Sequence, residues 1–157
     1  MKRKTASLFL GLCLAIFAVA ASPAHARSTT GFSAFHVENQ GTLSSNPYTC
    51  VGESYGAVVN NCSYAVSLEF DLPVDNSGTH SITVQDYWYG WPNNTDFSCQ
   101  AYSYAGNGSY EYGGQITFSE PVQSLQFSVN VPNSWSMQVI CWNVPPGGGI
   151  SNINWSV

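Results

Sequence analysis

Nearly every segment of this 157-residue chain alternates apolar and polar residues with a period of two, and none sustains a period of 3.6. Side chains of a β-strand point to opposite faces in turn, so this pattern demands strands with one dry and one wet face. The cleanest case is Tyr64 to Phe70, where Tyr64, Val66, Leu68 and Phe70 alternate with Ala65, Ser67 and Glu69. The same reading predicts strands over Ala34–Glu38, Tyr55–Val59, Ser81–Tyr89, Asp96–Tyr104, Tyr110–Phe118, Leu125–Val131, Trp135–Trp142 and Ile153–Val157. Pro73 and Pro121 stop strands because they cannot donate to a ladder, and Asp75-Asn76-Ser77-Gly78 and Ala105-Gly106-Asn107-Gly108-Ser109 carry turn chemistry. About eight short strands separated by polar turns describe an all-β protein, an antiparallel β-sandwich or small barrel, with the sandwich preferred.

The first 26 residues fall outside that pattern. Met1-Lys2-Arg3-Lys4 is basic, Leu8 to Ala21 is apolar, and Ala24-His25-Ala26 has the small-x-small form of a cleavage site. This is the layout of an export signal, which predicts residues 1–26 as signal peptide and 27–157 as one exported domain, secreted or periplasmic, without a membrane anchor. Cleavage would remove three of the four cations, leaving Arg27 against nine carboxylates, a formal charge of −8. Such a domain has no means of displacing counterions from nucleic acid, and anionic membrane surfaces repel it. Its partner is therefore expected to be a neutral or cationic extracellular ligand, glycan or protein.

Cys50, Cys62, Cys99 and Cys141 remain in the exported part. An even count in an oxidising compartment reads as a disulfide framework with three pairings open. Cys50–Cys62 with Cys99–Cys141 is preferred, the first pair being local and the second clamping two long strands. With no C-x-x-C and only His36 and His80 as nitrogen donors, a cysteine metal site is disfavoured.

The richest stretch runs from Asp86 to Gly113 and carries nine aromatic rings among Ser, Asn and Gly. With 105–109 as a hairpin loop, Tyr104 pairs with Tyr110 and Tyr102 with Tyr112, all four turned away from Cys99. If Gly90–Thr95 joins its flanking strands the same way, Tyr89 faces Asp96 and Tyr87 faces Ser98, while Trp88 and Phe97 pair inside. Tyr87, Tyr89, Tyr102, Tyr104, Tyr110 and Tyr112 would then line one face, with Trp91 on the adjoining loop. Such a face suits stacking on sugar rings or docking a protein. The plainer explanation is that Tyr favours strands and the N-terminal arm covers part of the face.

Other chemistry is weaker. Gly52-Glu53-Ser54-Tyr55-Gly56 fits the G-x-S-x-G nucleophile elbow, with Asp71 or Asp75 and His80 following in triad order. That elbow needs a strand-to-helix turn, and no helix is predicted here. Glu53, Glu69, Glu111 and Glu120 show no sign of the facing pair that glycoside hydrolysis requires. Asp86 falls in the inward phase of its strand, which implies a bulge or a buried carboxyl with a dedicated partner. Asp71, Asp75, Asn76 and Asp86 could together form an oxygen cage for calcium, although an Asx turn explains Asp75 as well. The sequons beginning at Asn61, Asn93, Asn107 and Asn154 would matter only in a eukaryotic secretory pathway, and the leader reads as bacterial.

The segments Asn60-Asn61-Cys62-Ser63, Leu72-Pro73-Val74-Asp75, Asp86, Phe97-Ser98-Cys99, Cys141 and Ile153-Asn154-Trp155 together resemble a class of small exported four-cysteine bacterial β-sandwich proteins with no assigned activity. The resemblance covers most of the exported part and implies export and β class, but carries over no functional residue. Members of that class tend to have a Cys directly before the Pro, where this chain has Leu72. The expectation is a secreted, non-catalytic binding module without a cofactor, for glycan or cell-envelope material, taken on the tyrosine face. The alternative is an extracellular protein-interaction or matrix component.

Overall fold

The structure is a computed structural model and describes residues 27–30, 36–38, 50–88, 96–133 and 135–156. The expected signal peptide, Tyr89, the connection 90–95 with Trp91, and Val157 lie outside these residues, as do the side chains of 27–30, 36–38 and Trp88. The described residues form eleven strands and no helix. They are β1 (Arg27–Thr30), β2 (His36–Glu38), β3 (Val51–Ser54), β4 (Ala57–Asn60), β5 (Val66–Leu72), β6 (Gly78–Trp88), β7 (Phe97–Tyr104), β8 (Tyr110–Phe118), β9 (Ser124–Val131), β10 (Ser136–Val144) and β11 (Gly148–Trp155).

Two antiparallel sheets result. One has the order β3-β4-β11-β6-β9, with β1 also paired to β11, and the other has the order β2-β5-β10-β7-β8. Their inner faces carry the alternating apolar residues read from the sequence. Leu68, Phe70, Phe97, Cys99, Met137 and Val139 from the five-stranded sheet join Ile82, Val84, Val129, Ile150 and Ile153 from the other in one core. Burial of this apolar surface is the main force holding the sandwich closed.

Both disulfides form. Cys50–Cys62 closes a loop of sequence separation 12, and Cys99–Cys141 links directly opposed residues of β7 and β10, with Cα atoms 4.0 Å apart. The second bridge therefore staples neighbouring strands of one sheet from its core side.

Several expectations change. The predicted strand over Tyr55–Val59 is instead the second half of a hairpin, because β3 already runs from Val51 to Ser54 and Tyr55-Gly56 makes the turn at φ 51° and 80°. Positive φ at both central residues is the type I′ geometry that matches strand twist. Tyr64 precedes its strand and is exposed, since β5 starts at Val66. Gly148 and Gly149 belong to β11 rather than to a loop, and a Cβ on Gly149 would collide with the Val58 carbonyl oxygen.

The largest departure concerns the connection 90–95. β6 and β7 lie in different sheets, so this connection is a crossover and not a hairpin. Tyr87 pairs with Gly149 of β11 rather than with Ser98. Period-two alternation reports inside and outside along a strand, but carries no information on which sheet the strand joins.

Candidate functional site

The outer face of the five-stranded sheet holds the aromatic cluster. Register sets it in rows across β10, β7 and β8: Ser136, Tyr104 and Tyr110 in one, Gln138, Tyr102 and Tyr112 in the next. Gln100 stands opposite Ile140 and Gln115 in a third row, and Trp142 stands opposite Ser98 in a fourth. Tyr110 and Tyr112 sit on the outer strand and are 52% and 63% exposed, whereas Tyr102 at the centre is only 8% exposed.

A bulge makes this arrangement possible. Counting back in twos from the buried Phe118 would turn Tyr112 and Tyr110 into the core. Between Gln100 and Tyr102 the ladder shifts, so that Ala101 faces the pair Gly113-Gly114. The extra residue reverses the phase of β8, leaving Phe118 inside and both tyrosines outside. Gly113 is needed there for space: a Cβ would lie 2.6 Å from Val129 Cβ and 2.7 Å from the Ser128 carbonyl oxygen, where β9 crosses beneath.

The rings form one connected set. Tyr102 contacts Tyr104 at 5.7 Å between centroids, Tyr112 at 5.4 Å and Trp142 at 5.9 Å, and Tyr110 contacts Tyr104 at 6.0 Å and Tyr112 at 5.1 Å. These spacings lie in the range of favourable aromatic pairs. The hydroxyls are organised as well. Tyr112 donates to Tyr110 at 3.2 Å, and Tyr102 donates to Gln100 Oε1 at 3.1 Å, whose amide nitrogen donates to the Gly113 carbonyl at 3.3 Å. Burial pushes the Tyr102 phenol up to about 12, with smaller contributions from Tyr104, Tyr112 and Tyr110. The hydrogen bond to Tyr110 raises the Tyr112 phenol, so both rings stay neutral donors at ordinary pH.

Of the six tyrosines expected on this face, with Trp91 on the adjoining loop, Tyr102, Tyr104, Tyr110 and Tyr112 lie there. Tyr89 and Trp91 lie outside the described residues. Tyr87 does not belong: it stands on the other sheet, half-buried, its hydroxyl 3.5 Å from Ser54 Oγ. Trp142 takes a place the sequence reading did not assign. Its parity signalled it, since it follows the inward Cys141, but only the pairing of β10 with β7 puts it beside Tyr102.

The catalytic and metal readings find no support in the geometry. Ser54 ends a hairpin strand, with no helix following. It neighbours Tyr87, whereas His80 lies seven residues earlier on the same strand, about 23 Å away at the rise of a β-strand. His80 is buried, with Nδ1 2.7 Å from the Ser156 carbonyl oxygen and Nε2 3.0 Å from that of Asn76. Glu53 lies on one sheet, Glu69 and Glu111 on the other, and Glu120 in the connection between β8 and β9. Asp71, Asp75 and Asp86 do not come together: Asp71 accepts from Gln138 on the outer face, Asp75 sits between β5 and β6, and Asp86 is buried near the far end of β6. Among the described residues no group of three or more His, Cys, Asp or Glu side chains is placed to hold a metal.

Asp86 is buried, one of the two readings of its phase, and the other has its counterpart in the pairing of β6 with β11, which shifts by one residue beside it between Ile150 and Asn152. Asp86 Oδ1 accepts the Gln123 amide, its own amide donates to the Gln123 carbonyl at 3.1 Å, and Oδ2 has no partner. Burial raises its pKa from 3.8 to about 6 against the lowering effect of hydrogen bonds at Gln123, Val122 and Asp86 itself. It anchors the connection between β8 and β9 to β6.

No protein-family model matches the sequence, and no curated protein matches it closely. Solved structures do. The chain is similar to a xylan-binding module, CBM15, at 12% identity and a TM-score of 0.56, over 85% of this chain and 96% of that one. It is also similar to CBM35 from Paenibacillus barcinonensis, at 15% identity and a TM-score of 0.51, over 83% and 98% of the two chains. A third similar structure is BiXyn10A CBM1 in its apo form, at 9% identity and a TM-score of 0.51, over 83% and 96%. At such identities the likeness is one of fold, and the fold shared is the two-sheet β-sandwich.

Proposed function

We propose that this chain is an exported, non-catalytic module that binds neutral glycan on the outer face of its five-stranded sheet. The observation that carries the reading is the connected cluster of Tyr102, Tyr104, Tyr110, Tyr112 and Trp142, whose outermost rings, Tyr110 and Tyr112, are mostly exposed. Rings already packed against one another lose little conformational freedom when a ligand stacks on them. Their hydroxyls, with Gln115 and Gln138 alongside, supply donors and acceptors for sugar hydroxyls. The acidic balance favours a neutral polymer over an anionic one. A fold shared with a xylan-binding module supports the same reading and makes xylan the first probe. The leader-like residues 1–26 and the two disulfides support export.

The test is retardation of the exported part, residues 27–157, in native gels containing xylan or other neutral polysaccharides. Retardation that is lost in both Tyr110→Ala and Tyr112→Ala supports the proposal. Absence of retardation by every polymer, or retardation unchanged in both variants, overturns it. If the same variants abolish concentration-dependent self-association instead, the protein-interaction alternative stands in its place.

A further inference from the structure

The outer face of the five-stranded sheet does not end at its tyrosines. Across β10 and β5 the row of Tyr112 and Tyr102 continues as Gln138 and then Asp71, and Glu69 stands opposite Ile140 in the next row. Asp71 is exposed, and Gln138, Ile140 and Glu69 are half-buried. The Gln138 carboxamide donates to Asp71 Oδ1, which holds that carboxylate on the tyrosine side of β5. One row therefore runs phenol, phenol, carboxamide, carboxylate over four adjacent strands, a span of about 14 Å at the usual strand spacing.

The other directions from the tyrosines are closed or short. Among the described residues β8 is the last strand of this sheet, so nothing follows Tyr112 on that side. Past Tyr104 and Tyr110 the chain turns at 105–109, where the Ala105 amide donates to the Ser109 carbonyl at 2.8 Å. At the opposite end of the strands the outer face is covered, because Ser67, outward by parity between the inward Val66 and Leu68, is only 2% exposed. A polymer that lies on Tyr110 and Tyr112 and extends further over the sheet meets β10 and then β5. Charge on that path has one sign. Among the described residues Arg27 is the only Lys or Arg, and it lies in the other sheet. Beyond β5, β2 brings His36 opposite Glu69 and Glu38 opposite Ser67.

We propose that Asp71 is the specificity-determining residue of the tyrosine face: the glycan runs across the strands from Tyr112 toward β5, where Asp71, seconded by Glu69, admits uncharged stretches of chain and rejects stretches that carry carboxylate groups. This rests on the glycan-binding reading of that face and deepens it, since it names the direction of the chain and the substituent that is excluded. A carboxylate accepts from the hydroxyls of a neutral sugar and has no proton to offer a second carboxylate. Two like charges roughly 7 Å apart in water repel by an amount that lowers affinity about threefold, and more where the ligand displaces water between them.

The probes are two polymer pairs, arabinoxylan with glucuronoxylan and hydroxyethylcellulose with carboxymethylcellulose, in native gels of residues 27–157 at pH 8, where an ordinary imidazole is uncharged. The expected result is stronger retardation by the neutral member of at least one pair. Asp71→Asn, at an exposed position and still able to accept from Gln138, binds the anionic member about threefold more tightly than the parent and the neutral member equally well. Asp71→Lys moves the preference toward the anionic member. Glu53→Gln, which removes the same charge from the other sheet, changes neither, so an effect of net charge alone is told apart from a local one. At 1 M salt, where the screening length is about 3 Å, parent and Asp71→Asn converge. Equal retardation by both members of each retarding pair, an Asp71→Asn protein that behaves as the parent, or a Glu53→Gln protein that gains as much as Asp71→Asn overturns this proposal and leaves the tyrosine-face reading in place. Retardation by none of the four polymers overturns both.

Discussion

Replacing Asp86 by Asn separates a buried charge from the hydrogen bonds around it. The carboxyl is 2% exposed, and burial raises its pKa from 3.8 to about 6. A carboxyl raised on folding is protonated more readily in the folded chain than in the unfolded one. Its favourable contribution is therefore fully present below 3.8 and is lost as pH climbs to about 6. At about 1.4 kcal/mol per pH unit that gap corresponds to at most about 3 kcal/mol. Partial solvent screening brings the expected loss to about 1–3 kcal/mol between pH 4 and neutrality. Asn keeps an oxygen to accept the Gln123 amide but cannot ionise. Its NH₂ group would take the place of Oδ2, which has no partner, leaving a buried donor unmade at a cost of about 1–3 kcal/mol. That cost is the same at every pH, so it cancels when two pH values are compared. Urea unfolding of parent and variant at pH 4 and pH 7.5 is the assay. Relative to the parent, the variant gains about 1–3 kcal/mol on going to the higher pH. Parallel behaviour of the two proteins, or a relative loss by the variant, would refute the argument that burial governs this carboxyl.

Other substitutions test the frame and the face. Gly113→Ala puts a methyl group within 2.6 Å of Val129 Cβ and 2.7 Å of a backbone oxygen. A loss of about 1–3 kcal/mol is expected from the strain, measured by thermal unfolding, and an unchanged midpoint would show that β8 and β9 do not touch there. Removing Cys99–Cys141, which closes 42 positions, should cost about 4 kcal/mol, and removing Cys50–Cys62, which closes 12, about 3 kcal/mol, both read from unfolding of double-Ala variants. Tyr112→Ala should lower stability by about 1–2 kcal/mol, through loss of its ring contacts with Tyr102 and Tyr110, while abolishing polysaccharide retardation. Tyr102→Ala should lower stability by roughly 2–4 kcal/mol, because its ring is buried beneath Tyr104, Tyr112 and Trp142.

Much of this protein was legible in the order of its residues. Alternation identified the inward side of β5, β9 and β10 residue by residue, because within a strand the face follows from parity alone. The five residues 105–109 determined the hairpin, hence the pairing of Tyr104 with Tyr110 and Tyr102 with Tyr112, since a short loop leaves little choice of register. The inward phase of Asp86 left open a bulge or a buried carboxyl with a dedicated partner, and it took the fold to bring Gln123, 37 residues away, to it. What the tertiary structure decided was the assignment of strands to sheets. The connection 90–95 has a length that serves a hairpin or a crossover equally, and only the packing of two complete sheets removes Tyr87 from the other tyrosines. The same packing brings β10 beside β7, and with it Trp142 beside Tyr102, across 40 residues of chain. Contacts of that kind depend on which apolar faces close on each other, and the local pattern of any one segment carries no record of it.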